Sequence, residues 1–440
     1  MYNKDIKEAL EREGIEEGDL IRIEKDEGEY EGRLMPRSSQ GDTGVLVLKL
    51  DNGYNIGVEF IEDLEIEKLS GHKDGEAEKP EIPDPDSEKP DIAILHTGGT
   101  IASKVSYEKG GVIPAFEPEE LVRLYPEVFE QANVTSEVLG QIHSGDMEPQ
   151  HWQEFAEVVA EHRDKDGIII GHGTDTMQYT AAALSFMLEN IDVPVVLVGA
   201  QRSSDRPSSD SAMNLSSAVR FALEGEPGVY VCMHAGTSDE EAAIHPGTRV
   251  RKMHTSRRDA FRSIDTSPVA RVNYSSGEVE FLREVEEPQG EFNLRTEMNT
   301  DVSMIKSRPG IDAERIEALK VKDGLVLEGT GLGHFPVNSF DEYTEHHDDI
   351  LKAIGDLAED GIAVMTSQCI NGRVNMNVYE YGVKIQERGV ISAENMLTEV
   401  AYVKLMWVLG QSDSTEEAEE LFRTNLAGEI LDREENDGFL

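Results

Sequence analysis

Short runs of about four to six apolar residues recur along most of this sequence, each ending in glycine or a polar residue before a helical pattern begins. DIAILHTGGT (91–100), DGIIIGHGTDT (166–176), VPVVLVGAQ (193–201), GVYVCMHAG (228–236), GLVLEGTGLG (324–333) and GIAVMTSQ (361–368) are of this kind. Between them lie helix-like stretches such as PQHWQEFAEVVAEHR, MQYTAAALSFMLEN and SAMNLSSAVRFALEG. A strand that is apolar at every position is buried on both faces, and strands alternating with helices need a parallel sheet covered by helices. The pattern therefore predicts an α/β fold with parallel sheets from about residue 91 onward. Residues 268–310 are less regular, with VARV and DVSMIKSRPG as strand-like pieces. A division there predicts two units, 91–295 and 296–440.

The first 90 residues differ in texture. A short charged helix near 3–13 precedes the alternations LIRIEK, GVLVLKL and YNIGVEF, and Asn52-Gly53 between the last two is a type I′ hairpin signal. Short strands with tight turns over residues 1–70 predict a small β-barrel domain of SH3-like size. Residues 71–90, GHKDGEAEKPEIPDPDSEKP, hold four prolines and seven acidic residues, and Ile82 is their only large apolar side chain. That composition predicts a semi-extended acidic linker.

Composition removes several function classes. The chain of 440 residues has 88 acidic against 41 basic side chains, a formal charge of -47. Wrapping nucleic acid by electrostatics alone needs clustered Lys and Arg. No apolar run reaches the roughly 18–20 residues of a membrane span, and the N-terminus has no apolar signal region. Cys232 and Cys369, the only cysteines, both fall in apolar, strand-like runs, which excludes a disulfide framework and a thiolate-rich zinc site. No metal site and a cytoplasmic location are expected. The acid excess is spread over the whole chain, so self-repulsion opposes the compact state at low salt. Molar salt shortens the screening length to about 3 Å. The composition resembles that of proteins from salt-in halophiles.

In an open α/β sheet, ligands sit beyond the carboxyl ends of the strands. The first apolar run ends in His96-Thr97-Gly98-Gly99-Thr100, where glycines let backbone N–H groups approach a ligand and two hydroxyls flank them. The spacing is neither GxxxxGK[ST] nor GxGxxG. The second run ends in His172-Gly173-Thr174-Asp175-Thr176, a hydroxyl beside a carboxylate where a helix opens. Alone, that segment reads as a helix cap, with Asp175 or Thr176 satisfying the first N–H groups.

Together the two segments are specific. TGGTIAS followed by HGTDTM resembles the bacterial-type L-asparaginase and glutaminase family. Ser144-Gly145-Asp146-Met147, GAQRSSDRPSSDSAMN (199–214) and Lys252 in TRVRKMHTS occur in the family's order. Amide hydrolysis needs a nucleophile, a proton carrier and donors for the oxyanion. Thr100 is a candidate nucleophile. Lys252 is a candidate base if its ammonium is disfavoured, and Arg249, Arg251, Arg257 and Arg258 supply like charge for that. Asp175 would orient Lys252 and the Thr174 hydroxyl. Backbone N–H groups around Gly99 and Thr174 are candidates for the oxyanion hole. Residue types leave open which threonine attacks first. The resemblance implies Thr100 for the acyl-enzyme, with Thr174, Asp175 and Lys252 as its activator.

The resemblance further implies that Gly99, Ser144 and Gly173 bind substrate. His334 in GTGLGHF stands where the family often places an Asn that reaches the substrate from the second domain or a neighbouring subunit; a strand-end histidine without a role is the alternative. Tyr107 belongs either to a mobile loop over the site or to ordinary packing. Gly145 replaces the polar residue that usually follows the substrate-binding Ser. A small barrel and acidic linker before such a core resemble one branch, the D-type subunits of the archaeal glutamyl-tRNA(Gln) amidotransferase, as do the strings TSQCINGRVNMNVYEYG and TNLAGEI. That branch implies ammonia release from glutamine or asparagine. It also implies a partner, the amidotransferase's E-type subunit, two copies of each chain, and Glu-tRNA(Gln) held mainly by the partner. No cofactor is expected in this chain, with ATP and Mg on the partner. The alternatives are a stand-alone asparaginase with an accessory domain and a non-catalytic scaffold subunit.

Overall fold

A computed structural model describes residues 2–25, 28–35, 43–50, 55–61, 64–70, 82–98, 103–106, 111–114, 121–122, 124–202, 208–285, 288–319 and 323–435. Gly99, Thr100, Tyr107, the Asn52-Gly53 turn and most of the 71–90 segment lie outside these residues.

The N-terminal part opens with the helix Lys4–Arg12, capped by the Asn3 side chain, which accepts from the Ile6 N–H. Five antiparallel strands follow, in the order Asn55–Glu59, Val45–Lys49, Gly28–Leu34, Leu20–Lys25, Glu65–Ser70. The alternation seen in the sequence is realised: Ile21, Ile23, Leu46, Leu48 and Val58 point inward and pack with Ile6 and Leu10 of the helix. This is a small β domain with its own core.

The larger α/β unit is an eight-stranded sheet. Asn133–Val138, Asp91–His96, Gly167–Gly171, Pro194–Val198 and Gly228–His234 run parallel. The sheet is mixed rather than wholly parallel, because Glu241–Pro246, Ala270–Asn273 and Val279–Phe281 continue it in antiparallel fashion. The connections after His234 and after Asn273 are too short for crossover helices, and the residues between Pro246 and Ala270 form the separate hairpin Val250–Lys252 with Phe261–Ser263, so these strands pair antiparallel. Register decides where the loops emerge. Gly171 lies opposite both His96 and Val198, and His96 lies opposite Val138. Four strands thus end level, and the segments beginning at Thr97, Leu139, His172 and Gly199 leave the sheet at one edge.

The C-terminal unit is a four-stranded parallel sheet, Val302–Lys306, Gly324–Gly329, Ile362–Ser367, Ile391–Ser392. Cys232 is buried in its strand, but Cys369 lies past the end of Ile362–Ser367 and is exposed. The expectation that both sit inside strands is corrected for Cys369, since the chain turns at Ser367, whose hydroxyl accepts from the Cys369 N–H. The two α/β units share one core. Ala181 and Leu184 of helix Met177–Met187 pack with Val403 and Met406 of helix Thr398–Gln411. Phe186 stacks on Trp407 at 5.9 Å, and the Arg295 guanidinium lies 4.6 Å from the Trp407 ring centre.

The last segment, residues 424–435, runs back over the larger unit. Lys404 and Glu429 form an ion pair with both side chains wholly buried. Glu429 also accepts from the N–H groups of Leu426 and Ala427, and Lys404 donates to the Thr424 carbonyl at 2.6 Å. Arg249 is buried under this tail. It donates to the carbonyls of Asn395 (2.7 Å) and Glu429 (3.1 Å), to the Ile264 carbonyl and to Asp265. Farther on, the Glu435 carboxylate accepts from the backbone N–H and hydroxyl of Ser267.

Candidate active site

Three of the level loops are stitched together by backbone and hydroxyl hydrogen bonds. The Thr97 N–H and hydroxyl both donate to the Gly171 carbonyl, and the Thr97 carbonyl accepts from the Ile142 N–H at 2.9 Å. Gly98 has φ +123°, and a Cβ there would sit 2.3 Å from the Ile142 carbonyl oxygen, so only glycine fits. The Thr176 hydroxyl donates to the Ser144 carbonyl at 2.6 Å. Thr176 does begin a helix, yet its side chain makes no cap bond, so the simple capping reading of this segment fails. Gly173 faces Ser144 so closely that a Cβ would meet the Ser144 Oγ at 2.8 Å. Ser144 itself is buried in a short 3-10 turn, with the Gly145 N–H donating to His143 Nδ1.

His172 lies beneath this loop, fully buried between the Gly173 carbonyl on Nδ1 and the Thr180 hydroxyl on Nε2. Burial pushes its pKa down to about 4, so the ring is neutral at ordinary pH. His96 is likewise buried and pushed down to about 4.

Lys252 enters from a separate hairpin, Val250–Lys252 paired with Phe261–Ser263. Its Nζ donates to Thr174 Oγ1 at 2.8 Å and to Asp175 Oδ1 at 2.7 Å. Residues 77 and 78 positions apart in the sequence therefore meet as a hydroxyl, a carboxylate and an amine. Asp175 is 60% exposed, whereas Lys252 is only 10% exposed, so the set opens to solvent on the carboxylate side. The neighbouring arginines do not present a free positive field. Each is met by a carboxylate: Arg249 by Asp265, Arg251 by Glu399, Arg257 by Asp259 and Arg258 by Asp239. The like-charge argument for lowering the Lys252 ammonium is corrected accordingly, since the paired charges largely cancel at a distance.

The segment after Pro194–Val198 builds its own polar lattice. Asp210 is buried and accepts from the N–H groups of Gln201 and Arg202 and from Asn214. Asn214 donates to the Gly199 carbonyl and contacts His234 Nδ1. Sequence reasoning placed this stretch at the site without assigning Asp210 or Asn214, whose partners are backbone groups only the fold brings near. His334 does not join Lys252. It forms a bridge with Thr330 and lies against Tyr379 (5.4 Å) and Tyr381 (6.0 Å) in the C-terminal unit. Among the described residues no group of His, Cys, Asp and Glu could hold a metal ion, and no helix is long and apolar enough to cross a membrane.

An α/β sheet with a Thr-Asp-Lys set beyond its strand ends defines the asparaginase class of amidohydrolases. Known proteins agree with that class. "Asparaginase, N-terminal" matches residues 91–287, "Glutaminase/Asparaginase C-terminal domain" 301–422 and "GatD N-terminal domain" 15–69. The thermostable L-asparaginase from Thermococcus kodakarensis superposes with a TM-score of 0.70 at 34% identity, 78% of this chain covering 99% of that one. L-asparaginase I from Vibrio cholerae gives 0.65 at 30% identity, again over 78% of this chain and 99% of that one. Full-length relatives narrow the class. The D-type subunit of glutamyl-tRNA(Gln) amidotransferase from Pyrococcus furiosus is 49% identical over 440 residues, 97% of each chain, and that from Thermococcus kodakarensis is 46% identical over 451 residues, 99% of each. The chain belongs to this family of D-type glutamyl-tRNA(Gln) amidotransferase subunits.

Proposed function

We propose that this chain releases ammonia from glutamine or asparagine and supplies it to a partner, the E-type subunit of the amidotransferase, that converts Glu-tRNA(Gln) to Gln-tRNA(Gln). The observation that carries the reading is the contact of Lys252 Nζ with both Thr174 Oγ1 and Asp175 Oδ1. In this scheme the Thr100 hydroxyl attacks the side-chain amide carbon and gives up its proton through the Thr174–Lys252 pair. The C–N bond breaks, the nitrogen leaves as ammonia with that proton, and water cleaves the acyl-threonine ester. Lys252 can accept that proton only when it starts as a neutral amine, becoming the ammonium until the proton passes to the leaving nitrogen, and Asp175 fixes its orientation. Gly99, Ser144 and Gly173 border the substrate, with Tyr107 and His334 as outer contacts.

The remaining parts of the scheme follow the family. Residues 1–70 form the extra domain, 71–90 the linker, 91–295 and 296–440 the two halves of the amidohydrolase. Two copies of each chain assemble, ATP and Mg act on the partner, the partner holds most of the tRNA, and the complex works in a salt-rich cytoplasm. The match of residues 15–69 to a domain named for this family favours it over a stand-alone asparaginase. The intact Thr-Asp-Lys contact favours an enzyme over a scaffold.

The test is transamidation by the reconstituted complex with glutamine or with free ammonium. Thr100→Val and Lys252→Met are expected to abolish the glutamine-dependent reaction and to leave the ammonium-dependent one intact. Loss of both in a folded complex would overturn the glutaminase assignment. Full glutaminase activity by the isolated chain, with no partner bound, would replace it by the stand-alone reading.

A further inference from the structure

The strand that carries Lys252 is held from the other domain. Arg251, one position earlier, places Nη1 2.9 Å from Glu399 Oε1 and 3.1 Å from Oε2. Glu399 lies in the first turn of helix Thr398–Gln411, in the C-terminal unit, and is 9% exposed; Arg251 is 31% exposed. This is no solvated surface pair, and a carboxylate in a first turn is favoured by the helix dipole. The same helix packs along Met177–Met187, whose start follows Thr174-Asp175-Thr176 directly. One helix of the C-terminal unit thus touches both halves of the catalytic contact: the helix that continues the Thr-Asp turn by apolar packing, and the lysine strand by an ion pair.

Successive side chains on a strand point to opposite faces. Anchoring Arg251 on one face therefore fixes the roll of the strand and with it the direction in which Lys252 leaves on the other. We propose that Arg251 and Glu399 are a positioning pair for Lys252, through which the C-terminal unit sets the amine against Thr174 and Asp175. The proposal rests on the catalytic reading of Lys252. Neither residue touches substrate in this scheme, so its loss acts on the chemical step. A misplacement of about 1 Å can cost on the order of a hundredfold in rate.

The test measures glutamine hydrolysis by the full chain together with its partner and Glu-tRNA(Gln). Glu399→Gln, Arg251→Gln, the double variant, the exchanged pair Arg251→Glu/Glu399→Arg and Lys252→Met are compared. Glu399→Gln keeps the shape of the side chain, and thermal unfolding reports the folded fraction for each. Each single variant is expected to lower kcat by about ten- to a hundredfold, with KM changed by less than about threefold. The double variant should be no worse than the worse single, and the exchanged pair should recover part of the loss. A merely structural role would lower the melting temperature and leave kcat per folded molecule unchanged. That result, or a rise in KM at constant kcat, overturns the proposal. If Lys252→Met is active, the catalytic reading fails instead; if it is dead while Glu399→Gln is normal, only the positioning role fails.

Discussion

Removing one member of the Lys404–Glu429 pair should cost far more than removing any surface ion pair in this chain. Both side chains have no exposed area, and they are tied to Thr424, Leu426 and Ala427 as well as to each other. Lys404→Met leaves the Glu429 carboxylate buried with two backbone N–H groups and without its ion-pair partner. Breaking a buried pair in this way costs about 3–5 kcal/mol. At roughly 2–4 °C per kcal/mol, the transition of the C-terminal unit should fall by about 6–20 °C. The double replacement Lys404→Met/Glu429→Leu removes both desolvated charges and should be milder than Lys404→Met alone. Differential scanning calorimetry at two KCl concentrations is the assay. Screening acts weakly on buried charges, so the penalty should be nearly equal in dilute and molar salt. A loss below about 1 kcal/mol for Lys404→Met, the size of an exposed pair, or a penalty that vanishes in molar KCl, would refute the reasoning.

Other expectations are as direct. Gly98→Ala forces both an unfavourable φ and a 2.3 Å clash with the Ile142 carbonyl, so it should destabilise by more than about 1 kcal/mol and abolish hydrolysis, read by urea unfolding and ammonia release. His245 is fully buried and pushed down to about 3, first by desolvation and then by Arg262. Its folded pKa lies below the unfolded one, so the unfolded state takes up a proton first and stability is lost as pH falls below about 6.5. Between pH 6.5 and 5 that loss is about 2 kcal/mol; His245→Asn should remove it, and an unchanged slope of stability against pH would count against the neutral ring. With a formal charge of -47, thermal unfolding should shift upward from dilute to molar KCl, and a flat or falling curve would reject the salt-adapted reading.

Much of the fold was legible because the strands announce themselves. A run such as Ile168-Ile169-Ile170 has no polar face to leave in water, and its ending at Gly171 marks where function begins. The β domain was legible through alternation, as in Ile21 and Ile23. The meeting of Lys252 with Thr174 and Asp175 was inferred from a family pattern rather than from spacing, since nothing local links a hairpin lysine to a turn 78 residues earlier. The antiparallel edge strands were not foreseen, because their sequences look no different from those of the parallel ones. Arg249 was read as like charge acting on Lys252, whereas it is a buried tether with acceptors 146 and 180 residues away. Charge counting along the chain cannot tell a free arginine from one that folding has already matched with Asp265 or Glu399.

The tail that covers Arg249 has a consequence for the life of the molecule. Residues 424–435 leave the ribosome well after Lys252, yet they supply the Glu429 carbonyl to Arg249, three positions before Lys252. Domains otherwise fold as they emerge, N-terminal first. A nascent chain can thus complete its β domain and most of its large sheet while the lysine strand still lacks its final support. A chain ending before Thr424 would contain the sequence of every candidate catalytic residue and leave Arg249 without the Glu429 carbonyl. Emergence of Glu429, 180 residues after Arg249, rather than synthesis of the site itself, completes the support of the lysine strand.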